Sequence, residues 1–310
     1  GLGRFIPATV HDAASRGAGS AGSRLVWMLT WVPGTPLAQA RPRSLDLLRS
    51  LGRWLGAFDR ALEDFDHPGA RRTLKWDLAA PGWIREHLDL VASPARRALV
   101  ERVLDRYDAA VAPALATLPR GIIHNDANDW NVLVGEARAD PRRVTSVVDF
   151  GDMVRTATVF EPAIAAAYAM LGQPRPLEAA AAVVAGYHEV RPLGEDEIAL
   201  LDTLVATRLA VSVLNSALRK RVEPDDPYVT ISEGPAWTGL EAWEAQPRRL
   251  AHYVFRHACG LPPVPAAAAV CAFLRRRAGT MAPVLDPDPR TMPGTPVDLS
   301  VGSLLVGADP

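Results

Sequence analysis

The fold of this chain is decided by residues 121–134, Gly-Ile-Ile-His-Asn-Asp-Ala-Asn-Asp-Trp-Asn-Val-Leu-Val, and by residues 147–152, Val-Val-Asp-Phe-Gly-Asp. An apolar run ends in a His-x-Asp pair, and Asn131 follows five residues after the aspartate. A second apolar run ends in Asp149, eighteen residues further on. The polar segment 135–143 separates the two runs, which predicts a β-hairpin that brings Asn131 and Asp149 together.

These polar residues match the requirements of phosphoryl transfer. Asp126 would orient the attacking hydroxyl and accept its proton, while the amide of Asn131 and the carboxylate of Asp149 would bind magnesium. Oxygen ligands suit a hard cation that keeps several waters and shares the substrate phosphates. Singly, the three would be a surface carboxylate, a turn asparagine and a strand-end aspartate, so it is their combination that favours a site.

The same stretch resembles the catalytic and metal loops of aminoglycoside phosphotransferase-like small-molecule kinases. This family is related to the protein kinases and includes choline, homoserine and hydroxylysine kinases. The sequence most resembles the hydroxylysine kinase branch of the family at three places: 124–134, 149–154 (Asp-Phe-Gly-Asp-Met-Val) and 227–237 (Pro-Tyr-Val-Thr-Ile-Ser-Glu-Gly-Pro-Ala-Trp). The resemblance runs from about residue 24 to about residue 260.

The resemblance implies transfer of the γ-phosphoryl of ATP or GTP, with Mg²⁺, to the hydroxyl of 5-hydroxylysine or a related amino alcohol or amino acid. It places His124 beside Asp126 in the catalytic motif. There we expect its ring to brace the loop through hydrogen bonds more than to take part in the chemistry. The substrate-orienting base is therefore Asp126.

Composition excludes several other classes of protein. The 310 residues are 48% hydrophobic with a formal charge of −1, which is typical of a globular protein and not of a nucleic-acid binder. Cys259 and Cys271 have no metal-binding spacing, which favours a reduced, cytoplasmic setting. No apolar run reaches about 18 residues, so no membrane span is expected. No Gly-x-Ser-x-Gly elbow of a serine hydrolase is present.

Hydrophobic periodicity predicts a mainly helical chain around the hairpin. The expected helices lie at 44–63, 99–115, 161–171, 177–190, 195–221, 235–258 and 265–277, and short strands at 5–10 and 24–32 precede them. Prolines recur beyond Cys259 and predict an extended linker at 282–297. We divide the chain into a remnant of an N-terminal sheet lobe with its hinge (1–34), a helical phosphotransferase lobe (35–258) and a proline-rich tail (259–310).

The predicted fold class is α+β and protein-kinase-like, a mostly helical C-terminal lobe with a catalytic β-hairpin and a remnant of the N-terminal sheet lobe. In the family that the chain resembles, the N-terminal lobe supplies a phosphate-covering loop and an anchoring lysine. Residues 24–34 resemble the last strand and hinge of that lobe, and both lysines of the chain, Lys75 and Lys220, lie beyond them. Because the first residue is Gly1, we expect a fragment or processed piece. Because the anchoring lysine of the N-terminal lobe is missing, we expect this chain alone to transfer little or no phosphate. The Gly-x-Gly-x-x-Gly pattern at 17–22 favours a hairpin turn over a phosphate loop.

Further candidates surround the central motif. Trp31 and Val32 lie where a hinge would offer backbone groups and an apolar wall to a purine. Asp129, Asp152 and Glu161 would form a negative rim that attracts the ammonium group of an amino alcohol. A solvated loop, or capping of the helix near Glu161, would also explain these acids.

Some other side chains have a functional and a structural interpretation. Arg155 and Arg208 would suit a substrate carboxylate as bidentate forks, but a salt bridge on a helix surface is favoured. Trp76, Trp83 and Trp237 are expected in the core rather than in a cage for a quaternary ammonium group.

A second interpretation of the whole chain stays open. In some relatives a similar kinase-like domain is joined to a pyridoxal-phosphate-dependent aminotransferase, and residues 256–303 resemble such a linker. The chain would then be a non-catalytic module of a multidomain protein, with a fused domain downstream. The complete catalytic set favours an enzyme, whereas the absence of the anchoring lysine favours inactivity.

Overall fold

The computed structural model describes residues 19–21, 24–26, 30–135, 143–223 and 233–281. The strand predicted at 5–10, the linker at 282–297, and parts of the motifs at 17–22 and 227–237 lie outside the described residues.

Helices form most of the described chain. They are α1 (Leu45–Ala61), α2 (Pro94–Arg106), α3 (Ala112–Ala114), α4 (Phe160–Ala169), α5 (Pro176–Val190), α6 (Glu195–Val222), α7 (Glu233–Ala245), α8 (Arg248–Ala258), α9 (Ala267–Arg276) and α10 (Ala278–Met281). A π-helical turn, Tyr107–Val111, joins α2 to α3, and 3₁₀ turns occupy Pro68–Ala70, Pro81–Leu90 and Phe150–Asp152. None of the helices in this part of the chain combines the length and hydrophobicity needed to cross a bilayer.

The strands are short and pair in three small antiparallel sheets. They are β1 (Gly19–Ala21), β2 (Arg24–Val26), β3 (Thr35–Pro36), β4 (Arg120–Ile123), β5 (Val132–Val134), β6 (Val144–Val147) and β7 (Val154–Ala157). β1 pairs with β2, β4 with β7, and β5 lies between β3 and β6. Val132 is opposite Val147 in the β5–β6 hairpin, which confirms the predicted pairing.

The first helix shows how sequence fixes local structure here. The side chain of Ser44 accepts a hydrogen bond from the backbone nitrogen of Leu47 at 3.2 Å, which caps the helix N-terminus. From Leu47 to Phe58, leucines and aromatic residues recur at three- and four-residue spacing and are buried, whereas the arginines at 49, 53 and 60 are exposed. One side of α1 therefore forms a wall of the core.

Most of the predicted elements are confirmed, with three corrections. The single helix expected at 235–258 is two helices, because Pro247 lacks the backbone N–H that a continuous helix would need. The strand expected at 24–32 is confined among the described residues to Arg24–Val26, and its partner is Gly19–Ala21. The second hairpin strand, expected from its apolar sequence over 144–150, ends at Val147, since Asp149 has a left-handed backbone.

Helices α1 and α5 are in contact backbone to backbone through two glycines. A Cβ atom on Gly186 would overlap the carbonyl of Arg49, and one on Gly52 would overlap the carbonyl of Val183. Any side chain at either position would force the helices apart. Since Phe58 of α1 packs on His124, this contact also helps to position the loop that follows His124.

We expect Gly186→Ala to lower the free energy of unfolding by about 1 to 3 kcal/mol, because the added methyl overpacks rigid backbone. Gly234→Ala is the matched control, since nothing lies within 4 Å of a Cβ at that helical position. It should be neutral or stabilising, by up to about 1 kcal/mol from helix propensity. Denaturant unfolding of both variants measures the difference, and equal stabilities would show that α1 and α5 can separate without cost.

Candidate active site

The candidate site lies where two strained turns meet. Asn125, directly before Asp126, has φ 66°, and Asp149 has φ 65°. Asn and Asp are the residues besides glycine that best tolerate this left-handed region. Backbone strain of this kind persists when the surrounding structure enforces it, and it concentrates at functional sites.

His124 braces the loop from inside. Its ring is fully buried against Phe58 and Phe150, with the ring centroids 6.3 and 5.2 Å away. Its Nε2 is 3.0 Å from the carbonyl oxygen of Val148, and its Nδ1 accepts from the backbone nitrogen of Asp126 at 3.3 Å. Burial lowers the pKa of His124 to about 4, so the ring is neutral and donates through Nε2. Both nitrogens are thus engaged by backbone groups of the two turns.

Asp126 is held from both sides. Its Oδ1 lies 2.6 Å from Nη2 of Arg208, and its Oδ2 accepts from the amides of Asn128 at 2.9 Å and Asn131 at 3.1 Å. Burial raises the pKa of Asp126 to about 6, opposed by Arg208 and reinforced by nearby acids. Because both oxygens are hydrogen-bonded, from opposite sides, the plane of the Asp126 carboxylate is fixed.

The hairpin brings the two predicted metal ligands to the same end. The backbone nitrogen of Val148 donates to the carbonyl oxygen of Asn131 at 2.9 Å. Asp149 is therefore the next residue after one that is hydrogen-bonded to Asn131. Both hydrogen bonds described for the Asn131 amide use Nδ2, which bonds the backbone and side chain of Asp126 and leaves Oδ1 available to a cation. Asp149 is exposed.

This donor set fits magnesium. Among the described residues, no group of three or more His, Cys, Asp or Glu side chains is arranged to hold a metal by itself. Magnesium does not need such a cage, because it binds through one or two protein oxygens together with waters and substrate phosphates. One amide oxygen and one carboxylate at the end of a hairpin meet that requirement.

The three acids expected on the rim have different environments. Asp152 is half-buried, and its pKa is raised by burial and by the charge of Asp149, so it belongs to the acidic side of the site. Asp129 instead lies 3.7 Å from Arg43, with which it forms a partly buried ion pair. Glu161 is fully buried and its Oε2 accepts from the backbone nitrogen of Asn125 at 3.1 Å.

Glu161 is therefore not a rim residue. Its carboxylate supports the strained turn from below, and burial raises its pKa to about 7. Asp59 shares this buried region, where burial and the charge of Glu161 raise its pKa. Its Oδ2 accepts from the hydroxyl of Tyr187 at 2.6 Å. Burial of these carboxyls depends on packing between α1, α4 and α5, which no local sequence pattern reports.

A large cavity opens beside Asp149. Its volume is about 1030 Å³, and its wall includes Trp31 and Val32, the two predicted hinge residues. Trp31 is 88% exposed, so its indole presents an open apolar face at the edge of the cavity. Phe65 and His67, stacked on each other, line it as well.

Arg72 also lines this cavity and was not found by sequence reasoning. Its Nη2 donates to the carbonyl oxygens of Gly151 and Met153, the latter at 2.9 Å. The arginine thereby ties the segment after α1 to the turn that carries Asp149. An exposed arginine among several others in the sequence gives no signal of such a contact.

The other side chains with two interpretations are also placed. Arg155 lies in β7, so a salt bridge on a helix surface is wrong for it. Arg208 is buried and pairs with Asp126, so the favoured helix-surface salt bridge is wrong for this residue. Trp237 is in the core, and Trp76 and Trp83 pack against it, as expected. The rings of Trp83 and Trp237 are covered by Lys75 and Arg96, at 4.6 and 4.7 Å.

Comparisons with known proteins identify the family of the chain. The family described as "Phosphotransferase enzyme family" matches residues 6–201. The hydroxylysine kinase of Mus musculus is 30% identical over 228 residues, which cover 71% of this chain and 60% of that protein. The chain thus spans about 60% of the length of the curated relatives that it matches first.

Two solved structures share the fold. A microcompartment-associated aminopropanol kinase has a TM-score of 0.54 at 20% identity, covering 84% of this chain and 78% of the other. An aminoglycoside phosphotransferase from Alicyclobacillus acidocaldarius has a TM-score of 0.56 at 15% identity, covering 83% and 79%. At these identities the likeness establishes the fold alone.

The fold is α+β and protein-kinase-like, which confirms the predicted fold class. The chain belongs to the phosphotransferase enzyme family.

Proposed function

We propose that the protein transfers the γ-phosphoryl group of ATP or GTP to the hydroxyl of a small amino-bearing metabolite similar to 5-hydroxylysine. The observation that carries this proposal is the fixed carboxylate of Asp126 beside Asn131 and Asp149, at one end of a hairpin. A positioned carboxylate next to hard oxygen ligands is the arrangement that phosphoryl transfer to an alcohol needs.

Each residue has a role in this proposal. Asp126 orients the acceptor hydroxyl and takes up its proton as the bond to phosphorus forms. Asn131 and Asp149 would hold Mg²⁺, which when bound offsets the charge of the phosphate oxygens. His124 keeps the two turns in register from inside.

The cavity and the acidic residues suit the two substrates. Trp31 and Val32 offer an apolar wall to the nucleotide base, in a space of about 1030 Å³ that also borders Asp149. Asp152, on the acidic side of the site, would attract the ammonium group of the acceptor. The names of the similar hydroxylysine and aminopropanol kinases also point to amino-bearing alcohols.

Acceptor specificity in the full-length protein tests the proposal. Hydroxylysine, ethanolamine, choline and homoserine are each supplied with ATP or GTP, and kcat/KM is measured. We expect hydroxylysine to exceed choline by about tenfold or more, because a pocket that binds ammonium through a hydrogen-bonding carboxylate disfavours a quaternary group. Lysine, which lacks the hydroxyl, is the matched control and should inhibit without being phosphorylated. Folded protein that transfers phosphate to none of these acceptors would favour the non-catalytic module.

A further inference from the structure

Arg208 lies in the interior, although it is one of the most strongly solvated kinds of side chain. It is in α6 and is only 3% exposed. Burying a guanidinium group is costly, and a buried ion pair often contributes no net stability compared with apolar residues of similar volume. Its contacts therefore need an explanation other than stability.

Three separate contacts fix the guanidinium group. Nη2 lies 2.6 Å from Oδ1 of Asp126, and Nη1 donates to the carbonyl oxygen of Trp76 at 3.2 Å. The central carbon lies 5.2 Å from the ring centroid of Tyr168 in α4. Two of these contacts, with Trp76 and with Tyr168, hold the arginine without Asp126.

The opposite oxygen of Asp126 is fixed by a different part of the chain. Oδ2 accepts from the amides of Asn128 and Asn131, both in the loop that follows Asp126. The carboxylate therefore lies between a helix and a loop and cannot rotate without losing contacts on one side. Rotation would turn its reactive lone pair away from the acceptor hydroxyl.

We propose that Arg208 is a positioning residue, which fixes the plane of the Asp126 carboxylate so that it faces the acceptor hydroxyl. This inference rests on the proposed function and assigns the arginine to the base, not to the substrate. A substrate carboxylate at Arg208 would have to displace Asp126 from a side chain that is only 4% exposed. Even small misplacements of a reacting group cost rate in reactions that depend on positioning.

The test is a double-mutant cycle in the full-length protein, with kcat and KM measured for hydroxylysine and for ethanolamine. Arg208→Gln should lower kcat by about a hundredfold for both acceptors and leave the KM for nucleotide unchanged. Arg208→Lys keeps one charged donor and should recover part of the loss. In the Asp126→Asn background, Arg208→Gln should have no further effect, since the base that it positions is already gone.

The matched control is Arg256→Gln. Arg256 is another 3% exposed arginine, whose described hydrogen bonds go to Glu195 at 2.8 Å and to the carbonyl oxygen of Pro262 at 2.9 Å. Its removal should lower the melting temperature but not kcat. If Arg208→Gln does not fold, kcat is measured for Arg208→Lys and for the double variant Asp126→Asn/Arg208→Gln, in which no buried charge is left unpaired. For Arg208→Lys alone, an unchanged kcat would then refute the inference.

The alternatives give different results. If Arg208→Gln raises the KM for hydroxylysine but not the KM for ethanolamine, which has no carboxylate, Arg208 binds the substrate carboxylate. An equal fall in kcat with and without the Asp126 carboxylate would make it a structural residue. Either result overturns the inference while leaving the proposed function intact. A parent protein that phosphorylates none of the acceptors refutes the proposed function, and the inference with it.

Discussion

Asp126→Asn in the full-length protein is expected to slow phosphoryl transfer by about a hundredfold or more, the usual scale for losing a positioned base. Nucleotide affinity in the presence of magnesium should stay close to that of the parent. The side-chain oxygen of the new residue can still accept from Asn131, and the position of that amide depends on this contact. Rate and binding are thus expected to separate.

The same substitution should also destabilise the protein. Arg208 would remain buried without its counter-charge, and breaking a buried pair from one side costs about 3 kcal/mol. Thermal unfolding therefore has to accompany the kinetics, so that loss of folded protein is not mistaken for loss of chemistry. Assays below the new melting temperature separate the two effects.

Asp66→Asn is the matched control for Asp126→Asn. Asp66 pairs with Arg71 at the surface, where solvent screens the interaction, so the pair contributes little to stability. Its removal should change neither rate nor affinity. A rate for Asp126→Asn equal to that of the control would show that Asp126 does not touch the acceptor.

The hairpin and most helices could be predicted because their signals are local. The two apolar runs within residues 121–152 and the polar segment between them predict two strands and their connection, and the structure pairs Val132 with Val147 accordingly. The three- and four-residue spacing of leucines likewise predicts a helix at 44–63, which the structure shows as α1. The break between α7 and α8 also has a local signal, Pro247. The hydrophobic periodicity continues across this proline, so residues 235–258 are predicted as a single helix.

The buried charges could not be predicted in this way. Glu161 and Arg208 are charged residues on helices α4 and α6, and they are buried because other elements cover them. Their partners, Asn125 and Asp126, are 36 and 82 residues away in sequence. Contacts over such separations depend on tertiary packing, so the motif predicts the candidate catalytic residues at 124–131 but not the side chains that support them.

Asp149→Asn should weaken magnesium-dependent nucleotide binding by about tenfold or more, which corresponds to about 1.4 kcal/mol. A charged hard ligand becomes neutral, and magnesium prefers carboxylate oxygens. The left-handed backbone at φ 65° is one that asparagine also adopts, so the turn should survive the substitution. The change therefore isolates the charge from the geometry. Titration of the full-length protein with ATP, with and without Mg²⁺, measures it.

Asp152→Asn is the comparison that makes the Asp149 result specific. Asp152 lies three residues away and shares the same acidic region, but it is proposed to face the acceptor and not the metal. Its substitution should raise the KM for the amino-bearing acceptor and leave magnesium-dependent nucleotide affinity unchanged. Equal effects of both substitutions on that affinity would mean a diffuse acidic surface in place of a defined ligand. If neither substitution alters binding or transfer, residues 124–152 are a retained scaffold and the protein is a kinase-like module without this chemistry.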